Sequence, residues 1–374
     1  MIKMAEIRIL HLVSSLSKSS GVMSVIMNYY RNINRNEVQF DFLYFQNIEN
    51  TYKKEIEDLG GKVFLISKPS VSRSFKNELE NFFKDYGCKY AALHNHQVAL
   101  NFLFSSIAKK HGIDNIIVHS HTTMYSDKRI NAIRNRILCI GLKKHATHYF
   151  ACSKAAGEFL YGKKSVIEGE VSIINNAINI EKFKFSNSIR KKIREELNVN
   201  DKFVIGHVGR FNEQKNHTFL IEIFYEIKKQ NQNAMLILVG DGPLMTNVKE
   251  KVKKLKLESD VLFLGKRSDI PILLHSMDIF LLPSIFEGLP VAGVEAQASG
   301  LPIVMSTEIT KEIGLFNYKF VDLKETPEYW AREILNIKQC GFRDKAYLEV
   351  KEKGFDIKQE AKKLEKIYME MQVQ

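Results

Sequence analysis

The sequence predicts an α/β chain of two domains, each organised around a parallel sheet, and three observations carry that expectation. Short apolar, β-branched runs alternate with longer amphipathic ones along the chain. The short runs are apolar from end to end, as strands covered on both faces are. The pattern also restarts near Ser172, and 374 residues exceed the ~100–200 typical of one domain.

In the first half, Ile7 to Val13 reads as a buried strand, Ser14 to Gly21 as a Ser/Gly loop and Val22 to Asn32 as a helix. Asp41 to Phe45, Lys62 to Ile66, Ala91 to His94, Ile116 to His119 and Thr147 to Cys152 continue the strand series, and a helix follows from Lys154. After Ser172 to Asn175 comes a polar turn, Asn176-Ala177-Ile178-Asn179, and then a charged run, Arg190 to Glu196, read as a solvated helix. The domain junction falls within 175–200, giving domains 1–180 and 181–355 and a terminal segment 356–374. Strands of the second half are Phe203 to Val208, Met235 to Val239, Val261 to Leu264, Ile279 to Leu282 and Ile303 to Ser306. The terminal segment is helical, since Ala361, Leu364, Ile367, Tyr368 and Met371 recur at three-to-four spacing. That pattern does not say which domain it covers. In parallel sheets ligands bind beyond the carboxyl ends of the strands, so the loops there are the places for chemistry.

Hydrophobic residues make up 45% and charged residues 26%, so each half can bury a core. No low-complexity tract suggests long disorder. The net charge is +12, and residues 1–180 hold most of it, with 24 Lys and Arg against 15 Asp and Glu. A basic field suits polyanions such as nucleic acid, anionic lipid or phosphorylated substrates, or else is only a solvated surface. No nucleic-acid reading motif or aromatic-rich basic strand accompanies it, which argues against nucleic acid. Cys88, Cys139, Cys152 and Cys340 form no C-x-x-C pair and read as thiols of a reducing compartment. The first apolar run is too short and too charged for a signal peptide, and no stretch reaches the ~20 apolar residues of a membrane span. These features point to the cytoplasm, free or resting on the inner face of the cell membrane.

The most informative stretch is Pro283-Ser284-Ile285-Phe286-Glu287-Gly288-Leu289-Pro290, continuing to Glu295 and Ala296. It runs from a strand into a helix, whose free N–H groups and dipole favour an anion such as a diphosphate. Gly288 lets the backbone approach a ligand closely. Glu287 and Glu295 stand eight residues apart, just over two helical turns, which would put them on a similar face. Each carboxylate can accept two hydroxyl hydrogen bonds, as sugar and ribose diols require. The plainer alternative is a capping Glu287 and a Glu295 paired with a lysine. A second cluster is Gly209-Arg210-Phe211-Asn212-Glu213-Gln214-Lys215. There Arg210, as a planar fork, and Lys215, as a point charge, could clamp a pyrophosphate and stabilise it as a leaving group. Alternatively both are ordinary exposed loop cations.

Gly240-Asp241-Gly242-Pro243 is a tight turn after a strand and weak evidence by itself. The loop before Gly21 has neither G-x-G-x-x-G nor G-x-x-x-x-G-K-[ST] spacing, which argues against a dinucleotide dehydrogenase or a P-loop NTPase. His119 and His121 stand at a strand end and are read as pointing to opposite faces, so that one is free for a ligand and the other is a core histidine. With His94 and His96 a metal site is conceivable, but no acidic ligand accompanies either pair, and none is expected. Lys128, Arg129, Arg134, Arg136, Lys143, Lys144 and His145 interleave with Ile130, Ile133, Ile137, Leu138 and Ile140. This basic amphipathic stretch could rest on anionic lipid, or be a surface helix packed on its domain.

Taken together, Gly209-Arg210 with Lys215, Gly240-Asp241-Gly242-Pro243-Leu244, and Pro283-Ser284 with Glu287-Gly288, Glu295-Ala296 and Gly300-Leu301-Pro302 resemble glycosyltransferase family 4 across most of the second half. Ala151-Cys152-Ser153-Lys154, Ile173 to Asn179 and the His119-Ser120-His121 strand end are similar to members that build bacterial capsule, exopolysaccharide or other surface glycans. The resemblance implies a GT-B fold, two Rossmann-like doubly wound domains facing a cleft, with the last helix crossing back to the first domain. It implies a retaining transferase that uses a nucleotide-diphosphate sugar, UDP by default, needs no metal or other cofactor, and acts on a glycan or lipid-linked acceptor.

By motif position Arg210 and Lys215 would hold the diphosphate, Glu287 with the amides of Gly288 and Leu289 the donor sugar, and Glu295 the ribose. Gly209, Gly240, Gly242 and Pro290 would complete the donor site. His121, with His119 and Gly21 beside the acceptor, would sit near the anomeric carbon. The sequence departs from the family where Ser19-Ser20-Gly21 replaces adjacent glycines. A non-catalytic sugar- or nucleotide-binding partner with the same fold is the competing function, and a phosphorylase or epimerase a further one.

Overall fold

A computed structural model describes residues 6–126, 129–338, 341 and 343–371, and of Arg129 the backbone only. Lys128, the Arg129 side chain and Cys340, named above, lie outside the described residues. The chain divides into two compact units, Met1–Ala177 with Ile357–Gln374, and Ile178–Asp356.

The first unit holds a seven-stranded sheet: β1 Ile7–Leu12, β2 Val38–Tyr44, β3 Val63–Leu65, β4 Ala92–Asn95, β5 Asn115–Ser120, β6 His148–Ala151 and β7 Val171–Ile173, in the order β3-β2-β1-β4-β5-β6-β7. The second holds six: β8 Phe203–Val208, β9 Ala234–Val239, β10 Val261–Gly265, β11 Ile279–Leu282, β12 Ile303–Ser306 and β13 Tyr318–Val321, in the order β10-β9-β8-β11-β12-β13. Every pairing in both sheets is parallel. Strands β9, β11 and β12 are buried along their whole length, which is why their sequences are apolar runs rather than alternating ones. β2 is equally buried but carries Gln39 and Asp41, which are held by Tyr30 and Arg8. In each sheet the strand order reverses once beside the first strand, between β1 and β4 and between β8 and β11. Such reversals leave a crevice beyond the strand ends.

The helix Ile357–Glu370 belongs to the first unit. Tyr368 is fully buried, Asn115 Nδ2 donates to the Met371 carbonyl at 3.1 Å, and Asn34 N–H to Glu365 at 2.7 Å. β13 was not foreseen: as an edge strand it leaves Tyr318 48% exposed and has no continuous apolar run to betray it.

The helix Asn187–Glu196 is not simply solvated, as its charge had suggested. Ile193 and Arg194 are buried, and Arg190 and Arg194 both reach Asp278, at 2.5 and 3.2 Å. Arg194 also donates to the Ser276 carbonyl at 2.7 Å, and Asp278 accepts the Val204 N–H at 2.8 Å. One carboxylate thus ties this helix to the starts of β8 and β11. Asp278→Ala leaves both guanidinium groups on backbone carbonyls but without a counter-charge, and its expected cost is ~3 kcal/mol. Urea unfolding followed by Trp330, the single and fully buried tryptophan, measures it; an unchanged midpoint would show the network to be ornamental.

Candidate active site

In the second unit the residues singled out by sequence gather at the β8–β11 reversal. β8 ends at Val208, and Gly209 and exposed Arg210 follow it. The chain then makes a short 3₁₀ turn, Glu213–Lys215, whose cap Asn212 accepts the Lys215 N–H at 3.3 Å. Asn216, at φ 55°, takes the left-handed conformation that asparagine tolerates and delivers the chain into the helix His217–Gln230. A Cβ on Gly209 would come within 2.7 Å of His207 Nε2 and 3.3 Å of the Lys215 side chain, so glycine there leaves room for the buried imidazole first and for the lysine stem beside it.

Lys215 points at Glu287, in the loop after β11. Its Nζ lies 2.5 Å from Glu287 Oε1, with both side chains largely buried. Gln214 Nε2 donates to the other oxygen, Oε2, at 3.1 Å and to the Phe286 carbonyl at 3.0 Å. Ile285 N–H donates to the Gln214 carbonyl at 2.8 Å. The two loops flanking the reversal are therefore zipped together, and Glu287 also bridges to Ile309 after β12. Beneath them His207, Phe211 and His217 form an aromatic floor, Phe211 stacking on His217 at 4.0 Å. Burial pushes His207 down to about 3 and His217 to about 2, so neither competes with Lys215 as a cation.

Gly288, Leu289 and Pro290 are buried in the turn that leads into the helix Val291–Ala298. The helix begins only at Val291, with Pro290 as its cap. Glu287 is thus a loop residue, and the expectation that helical spacing puts it on one face with Glu295 is corrected. Glu295 lies on the helix, where burial pushes its carboxyl up to about 8. Gly240 and Gly242 serve the scaffold. A Cβ on either would meet the backbone of Gly209 or Phe211, at 2.0 and 2.4 Å, so both must be glycine for the β9 loop to pack on the β8 loop.

In the first unit the matching reversal, between β1 and β4, is lined by histidines. Register places His11 of β1 opposite His94 of β4. His96 follows β4; His119 closes on the same side from β5, and His121 follows it. His11 Nδ1 lies 3.0 Å from His96 Nε2, and His96 Nδ1 lies 2.8 Å from His121 Nε2. His94 bridges Tyr368 Oη, at 2.6 Å, and His119 Nδ1, at 3.1 Å. Val25, Ile26 and Tyr29 of the helix Gly21–Asn32 and Leu364 of the last helix wall the cluster. His119 and His121 do not face opposite sides as expected. Residues two apart in a strand share a face, and the two rings stack at 4.0 Å. His119 is buried and His121 half-buried. Gly21 is exposed at the start of its helix, after the Ser20 cap.

The family described as "Glycosyl transferases group 1" matches residues 189–312, the segment that carries the zipped loops. EpsF of Bacillus subtilis (strain 168), which carries a provisional glycosyltransferase name, is 32% identical over 375 residues, covering 96% of each chain. The chain belongs to the group 1 glycosyltransferases. The UDP-Gal:α-D-GlcNAc-diphosphoundecaprenol α-1,3-galactosyltransferase of Escherichia coli is 27% identical over 303 residues, 76% of each chain. In fold, the crystal structure of Anabaena HepE in complex with UDP-glucose matches with a TM-score of 0.80 at 19% identity, over 97% of this chain and 99% of that one. The two parallel-sheet units of this glycosyltransferase are the GT-B fold.

Sequence reasoning missed Gln214, which orients Glu287, and His11, whose signal was its place in phase with Ile7 and Ile9 on β1. It also expected no metal. Two trios of histidines, His11 with His94 and His96, and His96 with His119 and His121, could offer ring nitrogens within 4.8 Å of one another. Neither trio includes a carboxylate or thiolate, and in the glycosyltransferase as described these rings hydrogen-bond to each other.

Burial keeps all five rings neutral. It lowers His11 to about 3 and His121 to about 4, and holds His94, His96 and His119 well below the ordinary value. The unfolded chain, titrating near ~6.5, then binds more protons than the folded one on the acid side. Stability is full above pH ~6.5 and falls as the pH drops toward 4. Melting curves from pH 7.5 to 5 should show that fall, and His94→Gln with His119→Gln should make it shallower. An identical slope in that double variant would remove the cluster from the account.

Proposed function

We propose that this chain is a family 4 retaining transferase that moves a sugar from a nucleotide diphosphate, UDP in the first instance, to a glycan or lipid-linked acceptor in surface polysaccharide synthesis. It would work at the inner face of the cell membrane. The observation that carries the reading is the Lys215–Gln214–Glu287 zip at the β8–β11 reversal, with Arg210 exposed beside it. Support for the donor and acceptor classes comes from the relatives: one is named for UDP-galactose and a diphosphoundecaprenol-linked sugar, and one structural neighbour was crystallised with UDP-glucose.

In this reading the diphosphate takes Lys215 from Glu287 in part, and Arg210 adds a second cation, so the departing phosphate finds charge already in place. Glu287, its two oxygens aimed by Lys215 and Gln214, retains lone pairs for donor-sugar hydroxyls. The buried Gly288 and Leu289 turn brings backbone to the same sugar, and Glu295 takes the ribose. His121, the outermost ring of the chain from His11 through His96, addresses the anomeric carbon and the acceptor. A neutral imidazole holds one N–H and one lone pair, so the direction of that chain fixes whether His121 Nδ1 donates or accepts. With no second carboxylate assigned as a nucleophile, the acceptor attacks on the leaving-group face and the departing phosphate helps take its proton. No metal enters the step.

Turnover of UDP-sugars in EDTA tests this. Lys215→Ala and Glu287→Gln should each lower kcat by ~100-fold or more, the usual scale for a group that stabilises developing charge. Each variant should still fold but melt at a lower temperature, because the buried partner loses its counter-charge. Wild-type rates in both, or a rate abolished by EDTA and restored by a divalent cation, would sink the reading. Binding should also report Glu295. Ribose hydroxyls donate to the ionised carboxylate, so UDP binding near pH 7 should expel a proton from a group titrating at about 8 and tighten as the pH rises toward 8. Calorimetry in buffers of different ionisation heat reads that proton, and Glu295→Gln should abolish it. No proton release from wild type would remove Glu295 from the nucleotide site.

A further inference from the structure

The helix Arg129–Leu138 turns an apolar side outward. Ile130, Ile133 and Ile137 are 81%, 63% and 60% exposed, and spacings of three and four residues place them in one stripe. Ile140, just past the helix end, is 76% exposed. By contrast, the helix Asn101–Lys110 buries Leu103, Phe104 and Ile107 as a packed helix should. Single exposed isoleucines need no explanation, but four in one patch do.

The stripe is framed by positive charge. Arg134 and Arg136 lie on the helix, Lys143 and Lys144 on the short helix Leu142–His145, and all four are exposed. Residues 130–145 contain no Asp or Glu. Among the described residues, Glu170 reaches this surface from elsewhere, 3.4 Å from Lys143 Nζ. The chain's positive balance also gathers in this half.

We infer that this surface docks on an anionic lipid bilayer, the isoleucines entering the boundary between headgroups and acyl chains and the cations binding lipid phosphate. Charge selects that occupant. A second copy meeting this face about a twofold axis would set the same cations against each other. The inference deepens the proposed function, on which it rests for its purpose: a lipid-linked acceptor is presented at such a surface.

The test is sedimentation of the full chain with vesicles of phosphatidylcholine alone or mixed with phosphatidylglycerol, at ~0.1 M salt, where exposed charges act over ~10 Å. Binding should favour the anionic vesicles about tenfold or more and weaken with added salt. Ile133→Glu with Ile137→Glu should lower binding about tenfold or more, with melting temperature and UDP binding unchanged, since the stripe is solvent-exposed. Ile137→Trp should shift its emission to the blue on anionic vesicles, against a constant signal from buried Trp330. The inference is overturned if wild type ignores anionic vesicles, or if the double glutamate variant binds them as wild type does. It also fails if light scattering shows a dimer that the double variant loses while vesicle binding persists, which would give the face to a second copy. Vesicle binding is read without donor or acceptor, so its failure leaves the transferase reading standing, and failed turnover leaves this one standing.

Discussion

The contact on which the second unit's site depends is the ion pair between Lys215 and Glu287. A parallel sheet delivers β8 and β11 to the same edge but says nothing about how the loops beyond them are held. The pair holds them, with Gln214 as a second donor and the Ile285–Gln214 backbone hydrogen bond as its seam. Both charges are largely out of water, so each depends on the other: removing one partner leaves the survivor buried and uncompensated, which is far worse than never having had the pair. The arrangement is thus a poor source of net stability and a good device for fixing position. In the proposed transferase, a donor phosphate approaching Lys215 would meet a cation already desolvated and aimed, with little reorganisation left to make.

The first unit solves the same geometric problem without charge. Its crevice beside β1 and β4 is lined by imidazoles that burial keeps neutral, and each can satisfy a neighbour with one donor and one acceptor. Buried His11 Nε2 and His119 Nε2 have no hydrogen-bond partner among the described residues. Such atoms carry a desolvation cost that a well-packed core usually avoids. A ladder of five rings that tolerates two such atoms is held together by stacking and by its strand register, and its one half-buried member is His121.

Much of this was legible. The strands were readable because burial on both faces leaves no ambiguity of period, and Phe203–Val208, Ile279–Leu282 and Ile303–Ser306 stand where their apolar runs do. Arg210, Lys215 and Glu287 could be named because they follow strand ends. Their contacts could not, because a separation of 72 residues is closed only by strand order, and order is a property of packing rather than of any local run. Helical spacing misled at Glu287 because the helix starts after Pro290, and alternation was miscounted at His119 and His121. The buried partnership of Arg190 and Arg194 with Asp278 was hidden for another reason. A charged run looks the same in sequence whether its charges face water or a carboxylate under the sheet.

Tyr368 shows how far the first unit's site depends on residues remote in sequence. Its hydroxyl meets His94 Nδ1 at 2.6 Å across a separation of 274 residues, and its ring lies against Phe40. Without it, His94 would keep only the partner on Nε2 and would bury a bare polar atom in an apolar wall. The terminal helix therefore does more than cover a core, which is all its three-to-four spacing could announce. It closes the hydrogen-bond chain that runs through His94 to His119, and so the ring beside His121 is positioned by the last turns of the polypeptide. Because a neutral imidazole has one donor and one acceptor, fixing one end of such a chain constrains every ring in it.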